Sequence, residues 1–88
     1  MITQEQLEAK IKKLFPIEFD PKVESLKDHP SDLELHTLSD ENVFALLAWE
    51  MWKDGMDWDT GIPDIAEGKS YTREDAITTL IYVYSYGN

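Results

Sequence analysis

A serine at the start of a helical pattern is the strongest chemical candidate in this sequence. Ser39 is followed by Asp40 and Glu41, and an apolar run begins at Val43. Serine is a preferred N-cap residue, and the helix dipole stabilises acids in the first turn. The same position favours a phosphate ester, because free backbone N–H groups and the dipole stabilise a negative group there. We therefore expect Ser39 to be either an ordinary helix cap or a site that carries a phosphate ester.

Metal binding and catalysis have weaker support from the residue pattern. An acidic loop holds Asp54, Asp57 and Asp59, and Asp57-x-Asp59 resembles the start of a calcium loop. The glycine and the bidentate glutamate that such a loop needs at its sixth and twelfth positions are replaced by Ile62 and Gly68. The chain has two histidines, no cysteine and no nucleophile-elbow pattern. We therefore predict no metal site, no catalytic residue and no enzymatic activity.

The net charge of −10 is concentrated in one part of the chain. Residues 1–27 hold five acidic and five basic residues, whereas residues 28–88 hold thirteen acidic and three basic residues. Such a surface attracts basic partners and repels nucleic acid and anionic lipid. The sequence has neither a membrane-length apolar run nor a signal-peptide pattern at its start. We expect a single domain over residues 1–88, cytoplasmic and monomeric, that binds a protein with a basic surface and contacts neither nucleic acid nor a membrane.

Helical periodicity dominates the chain and predicts an all-α fold. The three main helices are expected at about residues 3–15, 40–54 and 73–86, with one or two short helical turns between them. The second helix is apolar nearly all round, so we expect it to be the central, most buried element. The β-branched residues of 76–86 also fit a strand, but the cap at Thr72 and the helical spacing favour a helix. The fold class is a small helical bundle.

Two segments before the central helix have less definite patterns. Leu33 and Leu35 alternate with polar residues, which fits a short strand or a loop, and we favour the loop. Asp20-Pro21 has the pattern of an N-cap followed by proline at the first helical position. We therefore expect a helical turn to begin at Asp20.

The three tryptophans lie close together in the sequence. Trp49 and Trp52 are three residues apart on one helix face, and we expect both to lie in the core. Trp58 follows in the acidic loop, and the sequence leaves its burial open. Exposed aromatic residues among acids would instead indicate an interface.

The order of these elements resembles the acyl carrier proteins. The amphipathic run over residues 7–15 is similar to that family's first helix, and a long loop then leads to Ser39 at the start of an acidic second helix. Ile62-Pro63-Asp64 resembles the Ile-Pro-acid element before the family's short third helix, and the run from Pro63 to Ile77 resembles the approach to its last helix. The family's modification signature is Asp-Ser-Leu, whereas Leu38-Ser39-Asp40 places the acid after the serine.

The resemblance implies a 4′-phosphopantetheine arm on Ser39, whose thiol would carry an acyl group. It also implies that partner enzymes dock on the acidic second helix through their own basic patches. The predicted partner-binding acids of this helix and of the loop after it are Asp40, Glu41, Glu50, Asp54, Asp57 and Asp59. The alternative is a small acidic inhibitor, a toxin immunity protein or a nucleic-acid mimic, that binds a basic enzyme surface.

Overall fold

Every regular element in the described part of the chain is helical. A computed structural model describes residues 1–15 and 30–86. The elements are α1 (Gln4–Leu14), α2 (Asp32–Thr37), α3 (Asp40–Lys53), a 3₁₀ turn (Trp58–Thr60), α4 (Ile62–Ala66) and α5 (Arg73–Tyr86). None of these helices is long and apolar enough to cross a bilayer. The predicted all-α fold is confirmed, whereas the turn expected at Asp20-Pro21 lies outside the described residues.

Helix α1 begins at a capping box that Thr3 forms with Gln6. Gln6 N–H donates to the Thr3 hydroxyl at 3.2 Å, and Thr3 N–H donates to the Gln6 side-chain oxygen at 3.0 Å. Two backbone donors at the helix start are thereby satisfied. Leu7 and Ile11, one helical turn apart, are fully buried. The cap and the apolar spacing together fix which face of α1 meets the core.

Helix α3 is the centre of the bundle. It packs against α1, α4 and α5. Its fully buried apolar residues are Val43, Ala45, Leu46, Leu47 and Ala48, and Trp49 is only 2% exposed. A helix that is apolar nearly all round is stable only when other elements cover most of its circumference. The prediction of a central, buried helix is therefore confirmed.

Helix α5 forms despite its content of β-branched residues. The Thr72 hydroxyl accepts the Asp75 N–H at 3.2 Å and so caps the first turn. Ala76, Ile77 and Leu80 are buried at helical spacing. Burial of this face against α3 outweighs the strand propensity of the segment, because tertiary packing supplies most of the stability of a protein helix.

The segment before α3 differs from the prediction, because it is neither a loop nor a strand but the short helix α2. Glu34 N–H donates to the Ser31 hydroxyl at 3.2 Å, and Ser31 N–H donates to the Glu34 carboxylate at 3.3 Å. This capping box stabilises the first turn of α2. Leu35 is fully buried, whereas Leu33 is 77% exposed, so the alternating leucines do not share a buried face.

Glycines with positive φ follow two of the helices. Gly55 has φ 106° after the end of α3, where a positive φ is common for a glycine that ends a helix. Gly68 has φ 76° after α4. A Cβ at Gly68 would lie 3.0 Å from the ring of Phe44, so the backbone passes close to that ring. The turn after α4 therefore needs glycine both for its conformation and for its closeness to α3.

Candidate functional site

Ser39 lies at the N-cap of α3 with its side chain exposed to solvent. Its Oγ accepts the Asn42 N–H at 3.2 Å, and its carbonyl accepts the Val43 N–H at 2.9 Å. The backbone N–H groups of Asp40 and Glu41, at the first two helical positions, have no acceptor within the helix. Ser39 therefore presents an accessible hydroxyl at the electropositive end of a 14-residue helix.

Both acids that follow Ser39 are held by bases from other helices. Arg73 Nη1 of α5 lies 2.9 Å from Asp40 Oδ1, and Lys10 Nζ of α1 lies 2.6 Å from Glu41 Oε1. The hydrogen bond from Lys10, with the charge of that lysine, lowers the pKa of Glu41 below its ordinary value. The charges of the first α3 turn are thus partly neutralised within the chain.

Arg73 also fixes the corner between α2 and α3. Its Nη2 donates to the carbonyl of His36 at 2.8 Å, while its Nη1 holds Asp40. The two groups that this one guanidinium joins lie on either side of Ser39 in the sequence. The planar donor fork of arginine allows such a bridge, which the single ammonium of lysine could not reproduce in the same geometry.

An open groove of about 880 Å³ lies beside the same end of α3. It is lined by Met1, Ile2, Gln6, Ala9, Lys10, Asp40, Glu41, Phe44, Ala66 and Glu67. The Lys10–Glu41 pair and a 3.8 Å contact between the Met1 amine and Glu67 contribute charges of both signs to its lining. The groove is thus lined by both apolar and charged side chains.

Glu50 is not the docking residue that the sequence predicts. Its exposure is 2%, so a partner protein cannot reach it on the surface. The reason is its position on α3, which other helices surround so closely that a polar residue near its end is enclosed with the apolar ones. The Glu50 charge acts on Tyr84 of α5, whose pKa is raised mainly by burial and secondly by this carboxylate.

The remaining predicted acids lie at the other end of α3. Asp54, Asp57 and Asp59 are all exposed. Since α3 has 14 residues and rises about 1.5 Å per residue, its two ends are roughly 20 Å apart. The structure therefore does not bring Ser39, Asp40 and Glu41 together with the three aspartates, and the predicted site divides into two surfaces.

The tryptophans form a row at this second surface. The ring centroids of Trp49 and Trp52 are 5.4 Å apart and those of Trp52 and Trp58 are 5.5 Å apart, both in edge-to-face geometry. Trp49 is buried as predicted, whereas Trp52 is only partly buried, so the prediction of a core position holds for Trp49 and only in part for Trp52. Trp58 is also partly buried, which answers the question that the sequence left open.

The sequence did not predict that Lys10 and Arg73 pair with the two acids beside Ser39. Lys10 and Glu41 are 31 residues apart in the sequence, and Arg73 and Asp40 are 33 residues apart. Helical spacing rules describe neighbours three or four residues apart, so no local pattern pairs these residues. The one feature of the sequence that draws attention to either base is that Arg73 is the single arginine of the chain.

The candidate residues are thus Ser39 for attachment of a group and the exposed acids for docking. Among residues 1–15 and 30–86, no group of three or more histidine, aspartate or glutamate side chains is arranged to hold a metal ion. Comparison of the chain with protein-family models, with curated proteins and with solved structures gave no match.

Proposed function

We propose that this chain is an acidic protein-binding domain that resembles an acyl carrier protein and carries a 4′-phosphopantetheine arm on Ser39. The observation that carries the proposal is the exposed Ser39 hydroxyl at the start of the central helix. The order of a long first helix, a serine-capped central helix, a short helix beginning Ile62-Pro63 and a long last helix also supports it.

The surroundings of Ser39 suit the phosphodiester that would join such an arm to its Oγ. The first N–H groups of α3 point toward this position and stabilise negative charge there. Arg73 and Lys10 reduce the repulsion that Asp40 and Glu41 would otherwise exert on the phosphate, because each base neutralises one carboxylate. When bound, the arm supplies a thiol that carries an acyl group as a thioester.

Docking of a partner enzyme on this end of α3 would use the same two acids. The side chains of Asp40 and Glu41 remain 70% and 68% exposed although each has a basic partner. Exposed ion pairs contribute only about 0–1 kcal/mol, so a partner's lysine or arginine can share or replace the internal base at small cost. Such contacts mainly steer association and fix orientation, which suits a carrier that visits several enzymes.

Intact-mass measurement after co-expression with a phosphopantetheinyl transferase tests the proposal. The wild-type chain should gain the mass of one arm, and Ser39→Ala should gain none. Ser31→Ala is the matched control, because Ser31 is also an exposed N-cap serine and its loss removes a cap of the same kind. It should keep the mass gain.

Two results would overturn the carrier proposal. If the wild-type chain stays unmodified, Ser39 carries no arm and the acidic inhibitor becomes the function to test. That alternative needs no modification and predicts salt-sensitive binding to a basic enzyme. A full mass gain on Ser39→Ala would show that the arm is attached elsewhere. Circular dichroism of each variant checks that the loss of a cap, which costs about 0.5–2 kcal/mol, has not unfolded the chain.

A further inference from the structure

The end of α3 opposite Ser39 combines the partly exposed rings of Trp52 and Trp58 with acids that form no ion pair in the described part of the chain. Trp49, Trp52 and Trp58 form the tryptophan row, and the partly buried Met51 and Met56 are near the same end of α3 in the sequence. The Nζ of Lys53 lies 4.8 Å from the ring centroid of Trp49 and 5.3 Å from that of Trp52. These rings therefore already accept a cation from their own chain.

Trp58 is the outer member of the tryptophan row. It packs its ring against Trp52 and remains partly exposed. Within the described ranges, no lysine or arginine lies over its ring. The row thus ends in an aromatic surface of the kind that binds cations.

The acids around Trp58 differ from those beside Ser39 in whether a base of the described residues pairs with them. Asp54, Asp57 and Asp59 are exposed, and no ion pair formed by residues 1–15 and 30–86 involves them. Asp57 is the N-cap of the 3₁₀ turn, but its side chain makes no capping hydrogen bond. The acids of the Ser39 end have internal basic partners, whereas these three carboxylates have none among the residues that the structure describes.

We infer that this surface binds an arginine-bearing segment of a basic partner protein. A guanidinium stacks on an aromatic face and donates two parallel hydrogen bonds to a carboxylate, so Trp58 and the neighbouring Asp57 and Asp59 match both of its recognition modes. Tryptophan, methionine and arginine are also the residues enriched in the centres of protein interfaces. A nucleic acid or an anionic lipid surface would be repelled by the same carboxylates.

This inference goes beyond the carrier proposal, because it involves no residue of the Ser39 end. It is tested on the Ser39→Ala chain, so that modification of Ser39 cannot affect the result. Isothermal titration calorimetry with a nona-arginine peptide and with a nona-lysine peptide measures the affinities. We expect the arginine peptide to bind at least about threefold more tightly, because guanidinium is the better partner for an aromatic ring.

Substitutions at Trp58 and at Asp57 with Asp59 locate the binding to this surface. Trp58→Leu should weaken binding of the arginine peptide about fivefold, whereas Trp58→Phe, which retains an aromatic face, should weaken it less. Asp57→Asn with Asp59→Asn should weaken it about three- to tenfold. The matched control is Glu74→Gln with Asp75→Asn, which removes two exposed acids from the first turn of α5 and should have a smaller effect.

Three outcomes would overturn the inference. Equal affinities for the two peptides would indicate general charge attraction. Equal effects of the two double substitutions would mean that net charge, not this surface, controls binding. Sedimentation that shows a dimer of the Ser39→Ala chain, lost when Trp58→Leu is added, would assign the surface to a second copy of the chain. Since Asp57 and Asp59 are exposed, their double variant keeps the test valid even if Trp58→Leu fails to fold.

Discussion

Replacing a leucine in the middle of α3 should destabilise the whole domain. Leu46 and Leu47 are both fully buried, and α3 is packed against α1, α4 and α5. Truncation to alanine removes buried methyl groups and leaves a cavity that helices on several sides cannot readily fill. Leu46→Ala and Leu47→Ala should each cost about 2–5 kcal/mol. This is a large part of the roughly 5–15 kcal/mol that stabilises an ordinary domain, so either variant could be partly unfolded at 25 °C.

Urea unfolding followed by circular dichroism measures this loss. With an m value of about 1–3 kcal/mol/M, the midpoint should fall by roughly 0.7–5 M. Leu33→Ala is the matched control, because the same atoms are removed from a side chain that is 77% exposed, and its midpoint should barely change. A loss below about 1 kcal/mol for both core variants, or a loss as large for Leu33→Ala, would contradict the central position of α3.

Two further predictions concern α5 and the turn after α4. The raised pKa of Tyr84 keeps its phenol neutral in the folded chain, whereas the same phenol ionises near pH 10 in the unfolded chain. The free energy of unfolding should therefore fall as pH rises above about 10. Urea melts between pH 8 and 11 should show this decline in the wild type and a weaker one in Tyr84→Phe; identical profiles would contradict it. Gly68→Ala should lower stability by about 1–2 kcal/mol, because alanine is strained at φ 76° and its Cβ would press on Phe44. Thermal melts test this, and a stabilised variant would exclude the close approach.

The main helices could be predicted because their signals are local. Thr3 with Gln6, Ser39 with the acids after it, and Thr72 with Asp75 lie within one helical turn, so residue types alone reveal the caps. The prediction of a loop in place of α2 was wrong. It followed the alternation of Leu33 and Leu35 with polar residues, whereas the capping box of Ser31 and Glu34 favours a helix. With six residues, α2 is too short for helical periodicity to decide.

The candidate site could be predicted only in part, because much of it depends on how helices pack. The exposed cap at Ser39 and the exposed Asp57 follow from local patterns. The burial of Glu50 depends on where other helices cover α3, which no spacing rule specifies. The ion pair of Arg73 with Asp40 likewise joins residues from opposite halves of the chain.

The tryptophan row has a practical consequence for following this protein in solution. All three tryptophans of the chain lie in the row, and none is near Ser39. Intrinsic fluorescence excited in the indole band therefore reports events at one end of the central helix. The chain's single arginine, Arg73, stands at the opposite end, so a dicarbonyl reagent selective for guanidinium would mark that end alone. The two ends carry separate optical and chemical reporters without any engineered label.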